Sequence, residues 1–298
     1  MLNKSKIEVF FRNLQDKICT GLEEEDGKAK FIEDLWVREE GGGGRTRVIQ
    51  NGNVFEKGGV NFSAVYGPCP DFLKKEAGIG DSNVEFFATG ISIVIHPLHP
   101  FVPIIHMNVR YFEAGNVKWF GGGIDLTPHY IEAVDTRFFH TELKKICDLH
   151  NATYYPEFKK WADEYFYIKH RGETRGVGGI FFDRLSATSE ISIEKRYEFV
   201  KAVGETFLAV YLPLVKKNRI RSFTPENRHW QLLRRGRYAE FNLVYDRGTK
   251  FGLQTDGRVE SILMSLPPIT HWEYNFIPLA GSPEAKTIEV LKSPVTWV

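Results

Sequence analysis

Ile7, Phe10, Phe11, Leu14, Ile18 and Leu22 recur at steps of three and four, the period at which one side of an α-helix faces a core. This stripe runs into the acidic, glycine-containing segment 23–27, where the first helix is expected to end. Between about residues 31 and 120 the period changes. Short β-branched and aromatic runs are separated by the glycine run 41–44, Asn51-Gly52, Lys57-Gly58-Gly59 and Gly67-Pro68, which predicts a succession of strands. Helical spacing returns at 138–150 and at 155–168, the latter with Pro156 at a first helical position and Phe158, Trp161, Ala162 and Tyr165 on its buried side. A longer helix is expected from Ile193 to Leu214, bent near Pro213, and another opens at Thr224-Pro225 and closes near Gly236. Strands are expected again at 238–245 and 259–263, and a last helix at 283–291.

Because the strands come grouped, rather than alternating one by one with helices, the fold class expected is α+β: a large antiparallel sheet flanked by α-helices on both faces. No internal repeat or long linker interrupts the pattern, so residues 1–298 read as a single domain. Composition adds that 42% hydrophobic residues suffice for a large core, and that a net charge of +1 supplies no global field toward nucleic acid or an anionic membrane. No apolar run approaches the ~20 residues of a membrane span, and the N-terminal stripe, broken by Arg12, Asn13 and Asp16, forms no signal-peptide core. Cys19, Cys69 and Cys147 are far apart and in none of the spacings that bind zinc or an iron–sulfur cluster. A cytoplasmic enzyme is expected.

As a strand, 104–112 puts His106, Asn108 and Arg110 on one face and Ile105, Met107, Val109 and Tyr111 on the other. The outer two polar groups are then about 13 Å apart, the reach of a large flat ligand. A solvated sheet face explains the same alternation equally well. The preceding strand, 84–95, sends Ser92 and His96 to one side, and the 97–103 connection lets the two strands pair. For His96 and His99 a backbone-bonded histidine at a strand end is the commoner outcome. The segment FGGGIDLTP (120–128) opens the backbone with three glycines and presents Asp125, which caps a turn at Thr127-Pro128 on the plainer reading and meets a ligand on the other. The 41–44 run lacks the register of a phosphate loop and reads as a mobile flap.

Arginine pairs with a carboxylate through two parallel bonds, and the candidates are Arg110, Arg171, Arg175, Arg234, Arg235, Arg237, Arg247 and Arg258. Some will be surface ion pairs. A nucleic-acid patch at Arg234, Arg235 and Arg237 is the weaker alternative. His96, His106, His140 and His170 stand at no metalloprotease-like spacing, and spacing alone does not decide whether they share a metal. No GxSxG elbow supports serine hydrolase chemistry.

The strings KGGVNFSAVYG (57–67), HPLHPFVPIIHMNVRYFE (96–113), FGGGIDLTP, HRGETRGVGGIFFDRL (170–185), LRRGRYAEFNLVYDRGTKFGLQTDGRVESILMSLPP (233–268) and the final Trp-Val resemble oxygen-dependent coproporphyrinogen III oxidase over nearly the whole chain. The resemblance implies an oxidoreductase of haem (porphyrin) biosynthesis that turns two propionates of coproporphyrinogen III into vinyl groups by oxidative decarboxylation. Its products are protoporphyrinogen IX, carbon dioxide and hydrogen peroxide. It implies dioxygen as electron acceptor, no organic cofactor, and a homodimer joined through residues 238–273. By the same resemblance His106 is the proton donor, Ser92, Asn108, Val109 and Arg110 contact substrate, Asp125 binds the pyrrole nitrogens, and Asp256, Gly257 and Arg258 add a further substrate-binding stretch. Bacterial relatives are assigned a divalent metal at positions matching His96, His106, His140 and His170; other members are described as needing none. An electron-rich porphyrinogen can itself reduce oxygen, so the conversion is expected to proceed without a flavin, haem or nicotinamide site. Dispersed cysteines exclude the radical-type enzyme for the same conversion. A histidine-bound metal oxygenase and a tetrapyrrole carrier without chemistry remain as alternatives.

Overall fold

The computed structural model describes residues 2–80, 83–254 and 257–298. Its centre is a seven-stranded sheet in the order β1 (Ile32–Val37), β2 (Gly42–Gln50), β3 (Phe55–Pro68), β4 (Glu85–Pro97), β5 (Ile104–Ala114), β6 (Val117–Thr127) and β9 (Gly178–Leu185), antiparallel throughout. A two-stranded ribbon, β7 (Tyr167–Ile168) with β8 (Glu173–Thr174), lies between β6 and β9 in sequence. Strands β1 to β6 pair in chain order, as the grouped strand pattern requires, and β9 joins the edge after two helices.

One face of the sheet carries Phe62, Ile91, Ile93, Ile95, Ile105, Met107, Val109 and Phe120, all essentially inaccessible. Against it pack α1 (Lys4–Asp26), α3 (Ala133–His150), α5 (Ile193–Glu205) and α6 (Phe207–Asn218). The predicted stripe of α1 is buried, Phe10 only in part, and Asp26 at its end accepts backbone N–H bonds from Ala29, Val54 and Phe55, fixing the helix to the β2–β3 turn. The final helix, α10 (Pro283–Leu291), starts where Pro283 and the Ser282 cap place it.

Several expectations are corrected. The glycine run 41–44 is not a flap: Gly42 to Gly44 open β2 between two partners, and a Cβ on Gly44 would lie 2.2 Å from the Trp36 ring. Lys57-Gly58-Gly59 lies inside β3 rather than between strands; the three glycines of 120–128 lie inside β6 and keep the open backbone expected of them. The helix α2 (Asp71–Ala77) interrupts the strand run. The 193–218 region breaks at Thr206, which ends α5 and starts α6, while Pro213 sits within α6. Most consequential, residues 238–245 are helical. α7 (Pro225–Val244) runs through Gly236, because Trp230, Leu233, Tyr238 and Phe241 continue at helical steps and bury one side. Residues 259–263 are also helical, as α9 (Val259–Leu263), following α8 (Arg247–Gln254).

α7 and α9 cover part of the second sheet face. Tyr238 packs on Val94 and Ile104, the Met264 sulfur occupies the space a Cβ on Gly59 would take, and Ser261 Oγ lies 2.8 Å from Thr46 Oγ1. The α4 helix (Tyr154–Tyr165) packs along β9 at the sheet end.

Candidate active site

The register of the sheet places two polar or side-chain-free rows across this second face. One runs Thr46, Asn61, Ser92, Asn108, Gly123; the other runs Gly44, Ser63, Gly90, Arg110, Gly121. Each crosses four strand spacings, about 19 Å. A row of Val65, Ala88, Phe112 and Trp119 bounds the strip on the α2 side, in a cluster with Leu73. On the α7 side the next row is Val48, Gly59, Val94, His106, Asp125 and Gly179. The alternation read from the sequence is therefore correct: His106, Asn108 and Arg110 share this half-buried face, while Val109 points to the core and is fully buried. Phe72 of α2 and Phe251 of α8, both partly exposed, meet at 5.5 Å between ring centroids, linking elements from opposite sides of the strip.

Asp125 sits within β6 opposite His106, not at a turn. It is 2% exposed and both oxygens are engaged: Oδ1 lies 2.7 Å from His106 Nδ1, and Oδ2 accepts from Arg175 at 2.7 Å. The Arg175 guanidinium is itself buried against the rings of Phe166, Tyr238 and Phe241, with centroid distances of 4.3, 4.5 and 4.8 Å, and donates to Asn242 Oδ1. Burial pushes the Asp125 carboxyl up, but Arg175 and the His106 bond outweigh it and hold the group below its ordinary value. The ionised carboxylate favours an Nδ1–H tautomer on His106. The side chain more open to the strip is thus His106, 20% exposed, with Asp125, 2% exposed, behind it.

Arg110 donates from Nη1 to Asn108 Oδ1 at 2.8 Å and from Nη2 to Asp183 Oδ1 at 2.7 Å. Arg258 precedes α9 at the β1 margin and pairs with Asp34 and Ser261. Gly257 adjoins it; Asp256 lies outside the described residues. Ser92 faces the strip between Asn61 and Asn108. Arg234 and Arg235 are buried ion-pair partners of Glu173 and Glu56, Arg171 and Arg237 bind Glu240, and Arg247 lies over Tyr165, so the basic run makes no open patch.

The four histidines do not come together. His96 is wholly buried and bonds the Ser265 carbonyl through Nε2; burial and the Arg235 charge push it well below its ordinary pKa. His140 lies on the core side between Tyr155 and the Val177 carbonyl, its pKa lowered to about 4 by burial. His170 is exposed and bonds Tyr245 and Glu240. Among the described residues no group of three or more His, Cys, Asp or Glu is arranged to hold a metal ion, so these side chains do not fit a shared divalent centre within one chain. His99 bonds the Arg221 carbonyl, the backbone role expected of it.

Sequence reasoning did not find Asp183, Asn242 or the aromatic cage of Arg175. Alternation along β9 was a usable signal for Asp183; the others depend on long-range packing that no local spacing encodes.

The family model described as coproporphyrinogen III oxidase matches residues 6–297. Relatives from Prochlorococcus marinus strains NATL1A and NATL2A, each named oxygen-dependent coproporphyrinogen-III oxidase, are 48% identical over 309 aligned positions, covering 95% of this chain and 88% of theirs. A relative of the same name from strain AS9601 is 45% identical over 318 positions, covering 99% of this chain and 93% of its own.

Proposed function

The chain belongs to the coproporphyrinogen III oxidase family, and on that premise we propose a reaction and a seat for it. The protein is an enzyme of haem biosynthesis that oxidatively decarboxylates coproporphyrinogen III to protoporphyrinogen IX with dioxygen. For each side chain, propionate, dioxygen and a proton give vinyl, carbon dioxide and hydrogen peroxide; the propionate carbons are oxidised and dioxygen is reduced. The observation that carries the assignment of the site is the strip itself, floored by glycine, serine and asparagine between Arg110 and the His106–Asp125 pair. Side-chain-free positions let a broad ring lie against the backbone.

In this reading Arg110 and Arg258 take propionates at two margins of the strip, and Ser92 and Asn108 add hydrogen bonds between them. Val109 contributes backbone only, its side chain being buried on the other face. Gly257 continues the Arg258 margin; Asp256, outside the described residues, belongs to the same substrate-binding proposal by its place in the sequence. His106 moves a proton through Nε2, for which no partner is found among the described residues. Asp125 acts from behind: its charge stabilises the imidazolium when Nε2 is protonated, and through His106 it favours positive charge on the oxidising pyrrole. Arg175 keeps Asp125 ionised and in place. Electrons pass from the porphyrinogen to oxygen, so no organic cofactor is required by this scheme.

A homodimer joined through residues 238–273 is part of the same proposal. It is supported by Leu243, Val244, Phe251, Leu253, Val259, Ile269 and Trp272, which fall within that segment and are exposed in the single chain. No helix among the described residues is long and apolar enough to cross a membrane. Three buried free cysteines accord with a reducing, cytoplasmic setting.

The test is to supply coproporphyrinogen III aerobically and anaerobically in metal-free buffer. Equal loss of oxygen and release of carbon dioxide, both absent without oxygen, is expected. Binding with no oxygen consumption would leave only a carrier, and activity that disappears with chelation and returns with metal would favour the metal oxygenase.

A further inference from the structure

Opposite the single Gly121 of β6 stand two residues of β9, Asp183 and Arg184, because β9 carries one extra residue between the pairs Phe120–Leu185 and Gly122–Phe182. Arg184 absorbs the bulge with φ of +51°, a left-handed conformation uncommon for a residue with a side chain. Asp183 follows Gly179 and Phe181 on the strip side of β9, where its Oδ1 accepts from Arg110 Nη2 at 2.7 Å and from its neighbour's backbone N–H at 3.0 Å. Gly121 completes the arrangement: a Cβ there would lie 2.4 Å from Asp183 Oδ1 and 3.1 Å from Arg110 Nε. A bulge, a strained residue and a glycine thus adjoin one pair of aspartate and arginine, whose side chains are 25% and 34% exposed. A surface ion pair worth little needs no such provision.

We propose that Asp183 is a resident competitor for the carboxylate site of Arg110, occupying it in the free enzyme and yielding to a substrate propionate. The inference rests on the reading of Arg110 as a propionate clamp. A guanidinium takes a carboxylate through two parallel bonds on either its Nε–Nη2 or its Nη1–Nη2 edge. Nη2 belongs to both edges, and it is the nitrogen that Asp183 holds. Nη1 is already oriented by Asn108, so Arg110 keeps one anchor when the aspartate leaves. Arg258 repeats the design, with an aspartate on Nη2 and a neutral oxygen, Ser261 Oγ, on Nη1. The chemistry gives the exchange a use. Two different propionates of one macrocycle react, and the product keeps two more, so a clamp must release carboxylates as readily as it takes them.

The probe is coproporphyrin III, the unreactive aromatic macrocycle with the same four propionates, measured as an inhibitor of wild type, Asp183→Asn, Arg110→Gln and the double variant. Removing the competing charge should tighten inhibition about five-fold, the equivalent of roughly 1 kcal/mol, and the effect should vanish in the Arg110→Gln background. Asp183→Ser, which keeps an acceptor for the Arg184 N–H, should shift inhibition in the same direction if the asparagine variant folds poorly. Unchanged or weaker inhibition in both Asp183 variants, with Arg110→Gln weakened, would make Asp183 a support of Arg110 and overturn the exchange alone. Unchanged inhibition in Arg110→Gln would instead remove the clamp, and the exchange with it.

Discussion

His106 and Asp125 stand directly opposite each other on neighbouring strands, with imidazole Nδ1 2.7 Å from carboxylate Oδ1. The pair is held from behind by Arg175, whose guanidinium is sealed among three aromatic rings and bonds the second carboxylate oxygen. A buried carboxylate and a buried guanidinium are each costly alone, and neither can be removed without leaving the other without its counter-charge.

Asp125→Asn should therefore lose both function and stability. The neutral amide cannot balance Arg175 or stabilise an imidazolium, so urea denaturation should show a loss of about 3–5 kcal/mol, and turnover should fall together with it. A variant as stable as wild type would show that the Arg175 charge is balanced elsewhere.

Acid should separate two contributions. Asp125 has a depressed pKa when folded, so its stabilisation is present above the ordinary carboxylate range and is lost as pH falls through the folded value. His140 also has a depressed folded pKa, about 4, but as a base. The unfolded chain binds its proton from about pH 6.5 downward while the folded chain does not, so stability declines as pH falls from about 6.5 to 4, by up to roughly 3 kcal/mol. His140→Gln should flatten that window and leave the lower-pH loss intact. An unchanged slope would assign the window to other buried histidines such as His96 and His129, which are depressed in the same direction.

Gly121→Ala should act on binding more than on folding. The new methyl meets Asp183 Oδ1 and the Arg110 guanidinium, which are ends of flexible side chains. Asp183, at 2.4 Å, must move and Arg110, at 3.1 Å, gives by a few tenths of an ångström. The methyl also stands on the floor where the macrocycle is to lie, so KM should rise about ten-fold with a smaller change in kcat, the signature of lost ground-state binding. Gly179→Ala meets the Ile124 carbonyl at 2.0 Å and should instead cost stability, read as a lowered Tm.

Exhaustive chelation should leave turnover of the purified enzyme unchanged, since His96, His106, His140 and His170 are held by separate partners in separate surroundings. Loss of activity that a single divalent ion restores would require a site built from other groups.

Much of this was legible in the sequence wherever a local period decided the outcome. The α1 stripe, the alternation of β5 and the Pro283 start of α10 were all readable. The 238–245 segment was misread because its tyrosines, phenylalanine and valine favour strands by type, while burial against the sheet selects Tyr238 and Phe241 at helical spacing. Glycines were read as breaks when they stood within strands, because what they make room for, Trp36 over Gly44 or Met264 over Gly59, comes from elsewhere in the chain. At the site, His106, Asn108 and Arg110 were visible as one face. That Asp125 lies beneath His106, that Arg175 backs it, and that Asp183 meets Arg110 depend on strand register and long-range packing, with only the facing of Asp183 readable from alternation along β9.

The central claim is that His106, backed by Asp125, moves the proton for a macrocycle lying on this strip. It is tested most directly by comparing wild type with His106→Ala for aerobic release of carbon dioxide from coproporphyrinogen III and for binding of coproporphyrin III. Turnover should fall by about 10²–10⁴-fold while the porphyrin binds nearly as before. A variant that releases carbon dioxide at the wild-type rate would contradict the account.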